Sequence, residues 1–158
     1  MVIRTGFGYD VHRLEDNHEL WLGGILIPHF KGAIGHSDAD VLIHALCDAL
    51  LGAAGMRDIG FHFPDTDPRY KGIDSKKLLA RVIEFIQGKG YSVGNADITV
   101  VLQQPKLSDY IPEMIQVLAG ILQIADDQIA VKAKTSEGLG FIGTGDGVCA
   151  YASVLITK

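Results

Sequence analysis

The stretch from Gly35 to Gly55, "GHSDADVLIHALCDALLGAAG", constrains the fold of this chain more than any other. Leucines and alanines at 42, 45, 46, 49, 50 and 53 recur at helical spacing and form one apolar face. Ser37 or Asp38 can cap the helix, and Gly55 stops it. A helix with so wide an apolar face has to bury it against a sheet or other helices. Asp40, His44 and Asp48 fall at i, i+4 and i+8 and make one polar stripe opposite the leucines. Two accounts of His44 stay open on this spacing: a metal ligand, or a half-buried helix histidine bonded to Asp40 or Asp48.

The segments around this helix read as alternating strands and helices. Val2 to His12 and Glu19 to Pro28 read as two strands of a hairpin, the second softened by Gly23-Gly24. Met56 to Gly72 has two prolines and no period, so it reads as a long loop. "DSKKLLARVIEFIQGKG" is a second amphipathic helix, capped by Asp74 or Ser75, and Ser108 to Ile124 is a third with Pro112 in its first turn. Strands follow at Ala96–Val100, Ile129–Ala133 and Val148–Ile156, the last after a glycine-rich link. The expected fold is α+β: one domain over residues 1–158, with a mixed or mostly antiparallel sheet and three helices packed on one face.

Composition removes several classes of function. A net charge of −5 without a basic stripe argues against a nucleic-acid partner. No apolar run approaches the roughly 18 residues of a membrane span, and no signal or transit segment precedes the first strand. Cys47 and Cys149 form no CxxC motif, which fits a reducing cytoplasm. A hydrophobic fraction of 47% with only 21% charged residues leans toward an oligomer.

In "GFGYDVHRL", Asp10 and His12 stand two residues apart on one face of an extended chain. If the first helix packs beside this strand, Asp10, His12 and His44 form a three-ligand site with an open fourth position, and two imidazoles suit zinc or another first-row divalent ion. Cys47, near the same stripe, is an alternative ligand. Asp58 could accept hydrogen bonds from substrate hydroxyls. Asp65 and Asp67, beside Pro64 and Pro68, read equally well as turn formers and as functional groups. Lys106 in "PKLS", and Thr135, Ser136 and Glu137 in "KTSEG", follow strand ends, where N–H groups, hydroxyls and a lysine can cradle phosphate and a glutamate can hold Mg²⁺.

"GYDVHRL", the block from "GHSDAD" to "FPDTDP", "YKGIDSKKLL", "QQPKL" and "KAKTSEGLGFIGTGDG" together resemble the 2-C-methyl-D-erythritol 2,4-cyclodiphosphate synthase family over essentially the whole chain. The resemblance implies a ferredoxin-like subunit in a homotrimer with active sites between subunits. It matches Asp10, His12 and His44 to zinc ligands, and His36 and Ser37 to contacts near the substrate phosphates. Asp58 and Gly60 match contacts to the methylerythritol hydroxyls, and Asp65 and Asp67 lie in a substrate loop. Pro105, Lys106, Leu107, Ala133, Lys134, Thr135 and Ser136 match a cytidine pocket of the neighbouring subunit; Glu137 matches the holder of Mg²⁺ or Mn²⁺ on the diphosphate. His36, Asp58 and Glu137 are the implied catalytic set. Lys134 stands where many members have Thr; Thr144 and Asp146 replace an Arg and a Glu, and Tyr9 a Phe, around a cavity on the threefold axis.

The implied reaction turns 4-diphosphocytidyl-2-C-methyl-D-erythritol 2-phosphate into 2-C-methyl-D-erythritol 2,4-cyclodiphosphate and CMP, in the non-mevalonate route to isoprenoids. A phosphate monoester has a second pKa near about 6, so the nucleophile is already ionised and needs no Ser-His-Asp base. Two rival expectations are a zinc-dependent phosphoesterase and a non-catalytic metal- and nucleotide-binding trimer.

Overall fold

β1 (Ile3–Asp16) is the strand on which the functional residues are laid out. The computed structural model describes every residue from Met1 to Lys158. β1 runs antiparallel to β7 (Gly147–Thr157), from Ile3 opposite Thr157 to Arg13 opposite Gly147. On its far side β7 pairs antiparallel with β5 (Ser92–Val101), and β5 pairs parallel with β6 (Ile129–Lys134). A short β4 (Lys31–Ala33) closes the other edge, giving a mixed sheet of order β4-β1-β7-β5-β6. A parallel pair needs a crossover, and α4 (Ile111–Leu122), with Pro112 in its first turn, supplies it.

Two glycines set how closely α1 (Val41–Ala53) approaches this sheet. A Cβ on Gly6 would stand 1.9 Å from the Ala49 carbonyl oxygen, and one on Gly8 1.9 Å from that of Ala45. Any side chain there would push the helix away. Since residues two apart share a face, Asp10 and His12 follow Gly6 and Gly8 on the helix side. α1 runs antiparallel to the strand, so its N-terminal turn carries His44 toward them. The opposite face of the sheet is uncovered: Phe7, Tyr9 and Val11 on β1 and Tyr151 on β7 are exposed, with the Tyr151 ring 6.3 Å from Phe7 and 5.2 Å from Tyr9.

The α+β architecture matches the expectation, and several local features do not. Val2–His12 makes no hairpin with Glu19–Pro28; the second stretch folds on itself as β2 (Leu20–Leu22) and β3 (Ile25–Ile27) around Gly23-Gly24. Both glycines have positive φ, which makes this the tighter turn. The cap of α1 is Asp40 rather than Ser37 or Asp38. Its fully buried carboxylate accepts from Ile43 N–H (3.0 Å) and from the N–H groups of Gly23 (3.0 Å) and Gly24 (2.7 Å), tying the hairpin to the helix. Asp40 is therefore no part of a solvent-facing stripe, and α1 is enclosed on nearly every side. The glycines leave no room beneath it, and α3 (Ser75–Gly88), capped by Asp74, packs against both α1 and α4. The loop and the glycine-rich link each contain a four-residue helix, α2 (Ile59–His62) and α5 (Gly140–Gly143). Four residues are too few to show a helical period in sequence.

Candidate functional site

Three ligand-type atoms converge where β1 meets the first turn of α1. Asp10 Oδ2 lies 2.9 Å from His12 Nε2 and 3.0 Å from His44 Nδ1, and the two ring nitrogens are 3.2 Å apart. His12 Nδ1–H donates to the Ile34 carbonyl at 2.8 Å, and since a carbonyl only accepts, Nε2 is left for the triad. His44 turns its other nitrogen, Nε2, to the hydroxyls of Ser75 (2.9 Å) and Ser37 (3.0 Å). Neither Asp40 nor Asp48 binds His44: Asp40 caps the helix, and Asp48 accepts from Ile59 N–H at 2.7 Å. Cys47 is fully buried and joins no such cluster. Two imidazole nitrogens and a carboxylate oxygen, each able to turn a lone pair inward, form a donor set suited to a first-row divalent ion.

The electrostatics of the triad follow from this crowding. Burial alone would raise the Asp10 carboxyl, but its contacts with His12 and His44 outweigh it and hold the group well below the usual carboxylate range. Burial would likewise lower His12, but the hydrogen bond and charge of Asp10, helped by the Ile34 carbonyl, raise it above the ordinary histidine value. Below that raised value His12 carries a proton on Nε2, which a metal must displace. Metal affinity should therefore fall as pH drops through this range, and binding there should release protons. Calorimetric titrations in buffers of different ionisation enthalpy measure it; uptake independent of buffer would contradict it.

The triad opens into a cleft of about 350 Å³ lined by His12, His36, Ser37, His44, Gly60 and Asp65, with walls that include Ile59, Phe63 and Leu78. His36 Nε2–H donates to the Asp67 carbonyl at 3.2 Å. The Asp67 carboxylate faces elsewhere, accepting from Arg69 N–H (2.9 Å) and the Arg69 guanidinium (2.6 Å), which is a turn-forming arrangement. Asp58 caps α2 through Phe61 N–H (2.9 Å) and sits outside the cleft wall, exposed.

A second cavity, of about 240 Å³, is lined by Pro105, Lys106, Leu107, Ala133, Lys134 and Thr135, together with Leu102, Gln103, Ser108 and Ile111. Ser136 and Glu137 follow on the turn after β6. The Ser136 hydroxyl donates to the Leu139 carbonyl (2.7 Å), and the exposed Glu137 takes a positive φ of 55°. Thr144 donates to the Asp146 carboxylate at 2.6 Å. The two cavities share no wall. Asp10 stands opposite Ala150, Ala150 opposite Val100, and Val100 opposite Ala133, so within one chain the halves lie about 14 Å apart along the sheet. Sequence reasoning missed the roles of Asp38 and Ser75, reading each only as a possible helix cap.

The profile of the YgbB family matches residues 3–157. A Bacteroides fragilis relative named 2-C-methyl-D-erythritol 2,4-cyclodiphosphate synthase is 58% identical over 158 residues, covering 100% of this chain and 99% of that one. A solved structure of a 2C-methyl-D-erythritol-2,4-cyclodiphosphate synthase, 41% identical, superposes with a TM-score of 0.91 over 98% of this chain and 100% of the other. A further structure of such a synthase, in a CDP-bound form, is 40% identical with a TM-score of 0.90 and the same coverage of both chains.

Proposed function

The chain belongs to the YgbB family, and from that premise we propose that it is a 2-C-methyl-D-erythritol 2,4-cyclodiphosphate synthase of the non-mevalonate isoprenoid route. It converts 4-diphosphocytidyl-2-C-methyl-D-erythritol 2-phosphate to the 2,4-cyclodiphosphate and CMP: the 2-phosphate attacks the β-phosphorus, and the bond to the CMP oxygen breaks. The observation that carries this reading is the Asp10, His12 and His44 donor set at the head of a cleft, in a chain related along its whole length to synthases of that name.

The nucleophile is ionised at neutral pH, so the chain's work is positioning two like-charged phosphates rather than removing a proton. His36 and Ser37 hold the phosphates beside the triad, Asp58 and Gly60 take the methylerythritol hydroxyls, and the loop with Asp65 and Asp67 covers them. The second cavity takes cytidine between Pro105, Leu107 and Ala133, with Lys106, Lys134, Thr135 and Ser136 around its phosphates. When bound, a first-row divalent ion at the triad, preferably zinc, and Mg²⁺ or Mn²⁺ at Glu137 neutralise charge on the transferring phosphoryl group.

We read residues 1–158 as one ferredoxin-like domain, working in the cytoplasm as a homotrimer. The exposed aromatic face of Phe7, Tyr9 and Tyr151 supports an association of copies. So does the separation of the two cavities, because a ring of copies can set the metal half of one beside the nucleotide half of the next. The buried, unpaired Cys47 and Cys149 accord with a reducing compartment, and no helix is long and apolar enough to cross a membrane.

Lys106 and Glu137 have separable tasks. Lys106 is a point charge that meets phosphate in ground and transition states alike, so Lys106→Ala should raise KM by about ten- to a hundredfold with little change in kcat. Glu137→Gln should lower kcat and shift its Mg²⁺ dependence, because the ion it holds acts on developing charge. Steady-state kinetics across Mg²⁺ concentrations measure both; equal kcat losses at unchanged KM would refute the division.

Phosphorus NMR of the product tests the function itself. A cyclic diphosphate with stoichiometric CMP is expected. A linear bisphosphate would indicate a phosphoesterase, and CMP binding without turnover a non-catalytic protein; either would overturn the reading.

A further inference from the structure

The orientation of His44 is set by groups outside the ligand triad. Ser75 is fully buried at the first position of α3, and its hydroxyl, which has one proton, donates to Asp38 Oδ1. Asp38 also accepts from Ser75 N–H at 2.9 Å and from Asp40 N–H at 3.2 Å, so its carboxylate serves only as an acceptor here. With its proton committed, Ser75 Oγ can only accept from His44, and the imidazole proton therefore sits on Nε2. Ser37 Oγ, which already takes Ala39 N–H at 3.1 Å, shares that imidazole proton. Nδ1 is left bare toward Asp10 and His12. Capping does not explain the Ser75 hydroxyl, since Asp74 caps α3 through Lys76 N–H.

We propose that Asp38 and Ser75 are positioning residues of the metal centre, a carboxylate–hydroxyl–imidazole relay that locks His44 in the tautomer whose Nδ1 faces the ion. The proposal rests on the reading of the triad as a metal site. Metal-bound histidines commonly donate their other N–H to a carboxylate or carbonyl, which fixes the ring and raises its basicity. Here a serine is interposed because the Asp38 carboxylate is engaged with the backbone at the N-terminus of α3. The ligand geometry is thereby coupled to the docking of α3 on the segment before α1.

Two measurements separate the relay from the metal reading. The first is zinc affinity, by competition with a chromogenic chelator, in the full-length protein and in its Ser75→Ala and Ser75→Thr variants. The second is the long-range proton–nitrogen NMR pattern of the His44 ring in metal-free protein, which reports the tautomer whether or not zinc binds. Ser75→Ala is expected to weaken zinc binding about ten- to a hundredfold and to lose the single Nε2–H pattern. Ser75→Thr, which keeps the hydroxyl, is expected to retain both. Asp38→Asn, near-identical in size, should reproduce the Ser75→Ala signature, because its amide cannot accept from both Ser75 donors, and it serves where the serine variants do not fold. Unchanged affinity and an unchanged tautomer in Ser75→Ala or Asp38→Asn would overturn the relay. A wild-type protein that binds no zinc yet shows the Nε2–H tautomer, lost in Ser75→Ala, would overturn the metal reading and leave the relay standing.

Discussion

His44→Ala is expected to lose its bound divalent ion and to lower turnover by about a thousandfold or more, while remaining folded. The size follows from the several kcal/mol that metal ions contribute to phosphoryl transfer, at 1.36 kcal/mol per tenfold. The fold should survive because α1 is held by its leucines and alanines and by the Asp40 cap, whereas the His44 ring hydrogen-bonds only to Asp10, His12, Ser37 and Ser75. His12→Ala should behave alike, since its partners are Asp10, His44 and the Ile34 carbonyl. Metal content by mass spectrometry, circular dichroism and CMP release measure the three parts together. Full metal occupancy in His44→Ala would sink the triad assignment.

The triad was legible in sequence because two simple periods meet there. Alternation puts Asp10 and His12 on one face, and helical spacing sets His44 apart from the leucines; only the packing of helix on strand had to be supplied. The same reasoning misplaced Asp40. A carboxylate at i−4 from a histidine looks like its partner, yet Asp40 faces the hairpin turn at Gly23-Gly24, a contact 16 and 17 residues away in sequence. The relay through Asp38 and Ser75 was invisible for the same reason: it spans 37 residues and joins the lead-in of one helix to the start of another. The strands that alternate were readable, whereas β4, at three residues, carried too little pattern, and the pairing of β1 with the distant β7 is a long-range choice that no local period encodes. The second cavity was readable only as separate turns, because Pro105–Leu107 and Ala133–Thr135 come together through the parallel pairing of β5 with β6.

The proposed arrangement gives each chain two half-sites about 14 Å apart, completed by a neighbouring copy in a closed ring. It is tested most directly with two inactive variants, His12→Ala with a broken metal half and Glu137→Ala with a broken nucleotide half, unfolded and refolded together at equal concentration. Random assembly should make about three quarters of the trimers mixed, and each of these has about one site in three built from two intact halves. The refolded mixture should therefore recover roughly a quarter of the activity of refolded wild type. Activity that stays at the level of the separate variants, with subunit exchange confirmed by native mass spectrometry, would rule out shared sites and place each site within a single chain.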